Sequence, residues 1–177
     1  MLPVRCTCDV VAEAAPRPVV VEVFLFRVGV AHHLAYRRLS DHLRHGESPD
    51  QAARRLANVP DSASSGSPTL VHSTSWRCER DTTVVLTYAV APDPALGTIG
   101  VEAATPLDGL VIATGDEPNR PTPTNLTAHH VASHAARHLA FLLRTDPQAR
   151  SGLAGDAELL RLLDNLQPAL AGELTSA

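Results

Sequence analysis

The chain has 177 residues, of which 44% are hydrophobic and 19% are charged. This balance is typical of one globular domain and excludes an intrinsically disordered chain. The formal net charge of −4 argues against general binding to nucleic acid or to an anionic membrane. No apolar run approaches the roughly 20 residues of a spanning helix, and three cysteines are too few for a disulfide framework. We therefore expect a soluble, cytoplasmic protein.

Two further features of the composition bear on chemistry. All 15 basic residues are arginines, which excludes a lysine Schiff base and a phosphate-loop lysine. The chain also has nine histidines. Because histidine is the side chain best suited to proton transfer and metal binding near neutral pH, we looked for a site among them.

The first half of the chain is predicted to hold a buried strand followed by two helices. Residues 1–18 are expected to form an N-terminal arm or an edge strand. The run 19–26 is β-branched and aromatic, which predicts a buried central strand. The spacing of leucines predicts a helix over 31–44. A second helix is predicted after Ser48, because serine can cap a helix that has proline in its first turn.

The second half is predicted to hold a β-hairpin, two short strands and two helices. The predicted bounds are 70–78 and 82–90 for the hairpin, 101–105 and 110–114 for the short strands, and 125–144 and 158–166 for the helices. The predicted fold class is α+β, with a mixed sheet flanked by helices. We expect one core domain over 19–144 and a helical extension over 145–177.

The helix over 125–144 carries three histidines on one strip. His130, His134 and His138 follow one another at intervals of four residues, so they lie one above the other. Two imidazoles one turn apart can bind a metal ion such as zinc if another part of the chain supplies a further ligand. The pair is either His130 with His134 or His134 with His138, and the further ligand could come from His72 on the predicted hairpin or from His32 and His33. The predicted metal site is His72, His130 and His134. The alternative interpretation is a polar helix edge whose histidines contact solvent.

The predicted strand 70–78 concentrates groups that can bind a ligand. Strict alternation would place His72, Thr74, Trp76 and Cys78 on one face. Trp76 offers a stacking surface, and Arg77 can bind a phosphate or carboxylate through two hydrogen bonds. His72, Ser75, Trp76, Arg77 and His138 are therefore the predicted ligand-binding residues. The alternative is an ordinary half-exposed strand with cross-strand polar pairs.

The segment from Gly46 to Leu56, with the sequence GESPDQAARRL, resembles the second half of a Nudix box. Glu47 and Arg55 stand where that superfamily has its first box glutamate and its arginine. The resemblance implies a Nudix-like fold over 19–144 and a catalytic role for Glu47. Leu56 and residues 58–60 replace the acidic residues that would bind magnesium in that family.

These observations together predict a pocket between the hairpin and the histidine helix. The expected function is binding of a small polar or anionic molecule, with His130 and His134 available for acid–base chemistry or metal binding. One alternative is a metal- or haem-binding protein that uses the histidines of 129–138. A second alternative is a non-catalytic interaction module that forms a homodimer.

Overall fold

The computed structural model describes residues 18–60, 69–79, 83–91, 104–113 and 123–169. They form a mixed five-stranded sheet with helices on both faces, which confirms the predicted α+β class. In chain order the elements are β1 (Val19–Val28), β2 (Leu34–His42), α1 (Pro49–Ala57), β3 (Leu70–Glu79), β4 (Thr83–Ala91), β5 (Thr105–Pro106), α2 (Ala128–Thr145), α3 (Pro147–Gly152) and α4 (Ala157–Asp164).

The strand order in the sheet is β3-β4-β1-β2-β5. The central strand β1 runs antiparallel to β2 and parallel to β4. Residues 21–26 of β1 are all buried, so the prediction of a buried central strand is confirmed. The predicted hairpin is also confirmed, because β3 and β4 pair antiparallel.

The predicted helix over 31–44 is wrong, because this segment forms the strand β2. A tight turn joins β1 to β2 and is closed by the N–H of Gly29, which donates to the carbonyl of His33 over 2.7 Å. Leu34 and Tyr36 then pack on one face of the sheet and Leu39 packs on the other. This is the two-residue alternation of a strand with both faces covered. Pairing with β1 decided the structure, and the leucine spacing did not.

The helix α1 begins as predicted from its sequence. The Ser48 side chain accepts a hydrogen bond from the N–H of Gln51 (3.2 Å), and the Gln51 side chain accepts one from the N–H of Ser48 (2.9 Å). This reciprocal cap satisfies two N–H groups that the helix leaves unpaired. The buried alanines of α1 then pack on one face of the sheet, which we call the α1 face, against Val21, Val23, Leu25, Tyr88 and Val90.

The helices α2, α3 and α4 cover the opposite face, which we call the α2 face. The helices predicted over 125–144 and 158–166 are confirmed as α2 and α4 with small shifts of their ends, whereas the short α3 was not predicted. Residues of α3 and α4 therefore belong to the same core as β1 and β2. The largest fully buried side chains of this core are Phe24, Phe26, Leu139, Leu143, Leu159 and Leu163.

The strand β3 contains a β-bulge at Thr74. Ser73 pairs with Tyr88 of β4, and Ser75 pairs with Thr87, the next residue along β4. Thr74 is thus an extra residue without a pairing partner, and its hydroxyl donates to the carbonyl of Thr87 (3.3 Å). A bulge of this kind shifts the alternation of side chains by one position.

The bulge determines which side chains of β3 share a face. His72 lies on the α2 face, where it contacts His138. Beyond the bulge, Arg77 lies on that same face and Trp76 lies on the other. The prediction that His72 and Trp76 share a face is therefore wrong, because it counted alternation through Thr74 without the bulge.

Some predictions fall partly or wholly outside the described residues. These are the arm over 1–17, the residues 101–103 and the end of the chain after 169. Within 104–113, strand pairing is limited to Thr105–Pro106, so the strand predicted over 110–114 is wrong for its described part. Among the described residues, no helix has the length and apolar character needed to cross a membrane.

Candidate functional site

A row of polar side chains crosses four neighbouring strands on the α2 face. Arg77 of β3, Thr87 of β4, Glu22 of β1 and Arg38 of β2 form this row, which we call the Glu22 cluster. Glu22 is directly opposite Thr87 in the β1–β4 pairing. The row forms because each of these residues is at a strand position whose side chain lies on the α2 face.

The carboxylate of Glu22 is buried and accepts hydrogen bonds on both oxygens. Arg77 donates through Nη1 to Oε1 (2.8 Å) and through Nη2 to Oε2 (3.2 Å). Arg38 donates through Nε to Oε2 (2.6 Å), and the hydroxyl of Thr87 donates to Oε1 (3.3 Å). The forked contact of Arg77 is the strong, directional form of an ion pair.

The two arginines differ in what else they contact. The side chain of Arg77 is only 10% exposed, and it also donates to Glu79 through Nε and Nη2. Burial acts to lower the pKa of Arg77, but the hydrogen bonds and the charge of Glu22 outweigh burial and raise it. The side chain of Arg38 contacts Glu22 through Nε and Nη2 and is 45% exposed.

A cleft of ≈ 290 Å³ lies between the Glu22 cluster and the start of α2. One side of it is lined by strand residues, and the other side is lined by residues 123–124, 126–128 and 131. The lining therefore combines guanidinium and carboxylate groups with threonine hydroxyls and the backbone of the first helical turn. The residues that bring polar groups to it are Glu22, Arg38, Arg77, Glu79, Thr124 and Thr127.

The first turn of α2 is held by a reciprocal cap that uses one of the predicted histidines. The hydroxyl of Thr127 accepts from the N–H of His130 (3.3 Å), and Nδ1 of His130 accepts from the N–H of Thr127 (3.3 Å). His130 is therefore a capping residue here. The sequence had predicted a catalytic and metal-binding role for His130. It caps the helix instead, because a side-chain acceptor three residues after the capping residue can reach the backbone N–H of that residue.

Three predicted site residues do come together where α2 passes over β3. The Nε2 atoms of His72 and His138 are 3.3 Å apart, and the rings of His134 and His138 meet edge to face with centres 6.2 Å apart. Burial, together with the neighbouring His72 and His134, lowers the pKa of His138 to about 4. Burial also lowers the pKa of His72, and this effect outweighs the charge of Asp146, which acts to raise that pKa. We call these three residues the histidine cluster.

The predicted zinc site of His72, His130 and His134 is not formed. His130 caps the start of α2, two turns away from His138 along the helix. Among the described residues, no group of three or more histidine, cysteine, aspartate or glutamate side chains is placed to hold a metal ion.

Glu47 does not share a site with the histidines. It lies just before α1, on the other side of the sheet, and Arg55 donates to both of its carboxylate oxygens (2.7 and 3.1 Å). The hydrogen bond from Arg55 is the main reason why the pKa of Glu47 falls to about 2. The predicted catalytic set of Glu47, His130 and His134 is therefore not assembled in this structure.

The predicted ligand-binding residues of β3 separate into two groups. Arg77 lines the cleft, as predicted, and Ser75 lies on the same face opposite Thr87. Trp76 is 69% exposed on the α1 face, where it pairs with Leu86 of β4. It therefore cannot stack on a molecule bound beside Arg77.

The sequence interpretation missed Glu22 and Arg38. Glu22 carried a usable signal, because a glutamate within a continuous apolar strand is almost never buried without a partner. Arg38 carried none, since the segment around it was interpreted as a helix. The contact of Arg38 with Glu22 can be inferred only once the strand order is known.

No family model, curated protein or solved structure matches this chain. The resemblance to the Nudix box and the expectation of haem or homodimer formation therefore stay predictions. The function must be argued from the cleft and the histidine cluster themselves.

Proposed function

We propose that this domain binds a small anionic molecule, a carboxylate or a phosphate, in the cleft between the Glu22 cluster and α2. The observation that carries the proposal is the position of Arg38. Its guanidinium group is fixed by Glu22, yet its side chain remains 45% exposed at the cleft. An arginine held in place in this way needs little further ordering when it binds an anion.

Of the two carboxylates that line the cleft, Glu22 is buried and Glu79 is 51% exposed, so the attraction for an anion comes from the donors of Arg38 and of α2. The oxygens of Glu22 are already occupied by Arg38, Arg77 and Thr87, so they offer few acceptor sites to a ligand. Arg38 and the first turn of α2 line the same cleft, and N–H groups at a helix start have no partner within the helix. The partial positive charge of a helix start adds to the attraction.

The size of the cleft limits the ligand. A volume of ≈ 290 Å³ is at the lower end of the roughly 300–1,000 Å³ found for small-molecule sites. We therefore favour a compact acid or phosphate ester over a dinucleotide. Arg77 acts in this proposal as a positioning residue, because its own donors are committed to Glu22 and Glu79.

The proposal is tested by titrating the full chain with succinate and with inorganic phosphate while amide signals are followed by NMR. We expect saturable shifts centred on residues 127–131 with at least one of the two anions. Arg38→Gln should weaken that binding at least tenfold. Arg37→Gln is the matched control, because Arg37 is next in the strand but points to the α1 face.

Two results would contradict the proposal. One is the absence of saturable shifts at the start of α2 with both anions. The other is equal affinity in the wild-type protein and in Arg38→Gln, provided that circular dichroism shows the variant to be folded.

A further inference from the structure

The histidine cluster lies apart from the cleft, toward the other end of the contact between α2 and β3. We propose that His72 and His138 form a binding site for a zinc-type divalent transition metal ion, held by the Nε2 atoms of both imidazoles. The site differs from the trio of His72, His130 and His134 expected from the sequence, because His138 replaces both His130 and His134.

The distance between the two nitrogens fits joint coordination of one ion. Two nitrogen ligands at the usual zinc distance in a tetrahedral arrangement are about 3.3 Å apart. The Nε2 atoms of His72 and His138 are 3.3 Å apart in the structure. This match is produced by two rigid elements, since one residue is on β3 and the other is on α2.

The orientation of the rings supports the same conclusion. Two imidazoles that point at a shared tetrahedral ion have ring centres about 5.2 Å apart. A linear hydrogen bond of the observed length would place the centres about 5.6 Å apart. The observed separation is 5.1 Å, with the ring planes inclined by 54°. The observed separation of the ring centres is therefore closer to that of two ligands of one ion than to that of a linear hydrogen bond.

The protonation of the pair is also suitable for metal binding. An imidazole must be neutral to bind a metal ion. Burial is the main cause that lowers the pKa of both His72 and His138, and it favours the neutral form of each ring. A metal ion would replace the single proton that the two facing nitrogens share.

The surroundings of His138 set the expected strength of the site. Metal-bound histidines usually donate their second N–H to an acceptor, but Nδ1 of His138 is buried without a hydrogen-bond partner. The ring of His134 is 6.2 Å from that of His138, about 1 Å beyond the spacing of two co-ligands. We therefore expect two protein ligands, water in the remaining positions and an exchangeable ion.

The test is a calorimetric titration of the chelator-treated full chain with zinc chloride. We expect one site whose affinity falls at least tenfold in His138→Gln and in His72→Gln. His45→Gln is the control, because His45 is an exposed histidine in the turn before α1, and this variant should bind zinc as the wild type does. Equal affinity in all four proteins would overturn the proposal.

A second measurement does not depend on any variant. Nitrogen-15 NMR of the histidine side chains reports which ring nitrogen a metal ion binds. The first equivalent of zinc should shift the Nε2 signals of His72 and His138 before those of the other histidines. Earlier or stronger shifts at other histidines would overturn the proposal.

Discussion

At the scale of single residues, Glu22 shows what a charged side chain requires inside a buried strand. Its side chain is 1% exposed, and an unpaired carboxylate in such a place would cost several kcal/mol. Arg38, Arg77 and Thr87 occupy its oxygens and remove most of that cost. The same contacts fix the guanidinium groups at the cleft, so stability and the proposed binding depend on one carboxylate.

We predict that Glu22→Gln lowers the free energy of unfolding by about 2–4 kcal/mol. The amide keeps the shape of the side chain but leaves the buried Arg77 with Glu79 as its only charged partner within the described part of the chain, and breaking a buried pair costs roughly this much. Chemical denaturation measures the change. Asp41→Asn is the control, because Asp41 is 45% exposed and solvent screens its pair with Arg55, so this variant should lose much less stability. Equal losses in the two variants would contradict this account.

The position of a candidate site residue could be predicted from the sequence only where the strand or helix that carries it was predicted correctly. The contact of His72 with the histidine helix and the position of Arg77 at the pocket followed from the hairpin and helix predictions. Glu22 and Arg38 did not, because their pairing depends on β1 and β2 being neighbours. A strand interpreted as a helix hides every cross-strand contact that it makes.

At the scale of elements, the predictions succeeded where local signals determine the structure. The cap at Ser48 fixes the start of α1, and the apolar stripe of α2 fixes its length. The strand β2 was missed because its burial pattern depends on tertiary pairing with β1. The bulge at Thr74 was missed because nothing in the sequence around it marks an extra residue.

The bulge leads to a prediction about register. Deleting Thr74 restores regular alternation, because Ser73 and Ser75 already pair with consecutive residues of β4. Arg77 should keep its contact with Glu22, and we expect a loss of only about 1–2 kcal/mol for the buried threonine. Inserting an alanine between Ser75 and Trp76 should instead turn Arg77 to the α1 face.

The two length variants can be compared by thermal unfolding and by the anion titration described above. We expect the insertion to be more destabilising than the deletion by at least about 2 kcal/mol, since it leaves Glu22 without Arg77. It should also weaken anion binding, whereas the deletion should not. A deletion as damaging as the insertion would show that the bulge itself is needed to place Arg77.

At the scale of the whole molecule, the sheet separates two sets of polar contacts. The α1 face holds the network of Arg55 with Glu47 and Asp41, and the α2 face holds the Glu22 cluster and the histidine cluster. The predicted catalytic residues were drawn from both sides, and no sequence pattern shows which face a helix covers. The two proposed sites share the α2 face because α2 runs along β3.

The last helices are part of this arrangement. Arg144 of α2 donates to the carbonyls of Asp164 and Leu166, and Arg137 donates to the carbonyl of Gln167. These bonds satisfy backbone groups at and beyond the end of α4, where helix geometry leaves carbonyls unpaired. The segment from 147 to 169 is therefore held to α2 by hydrogen bonds as well as by its leucines.

We predict that Leu163→Ala destabilises the entire molecule in a single unfolding transition. Leu163 is fully buried in the cluster that contains Phe24 and Leu139, and removing a buried leucine costs about 2–5 kcal/mol. Differential scanning calorimetry should show one transition at a lower temperature, with a loss close to that of Leu139→Ala in α2. The exposed Arg161→Ala should change stability by less than about 0.5 kcal/mol. If α4 belonged to a separate extension, Leu163→Ala would leave the main transition in place and Leu139→Ala alone would shift it.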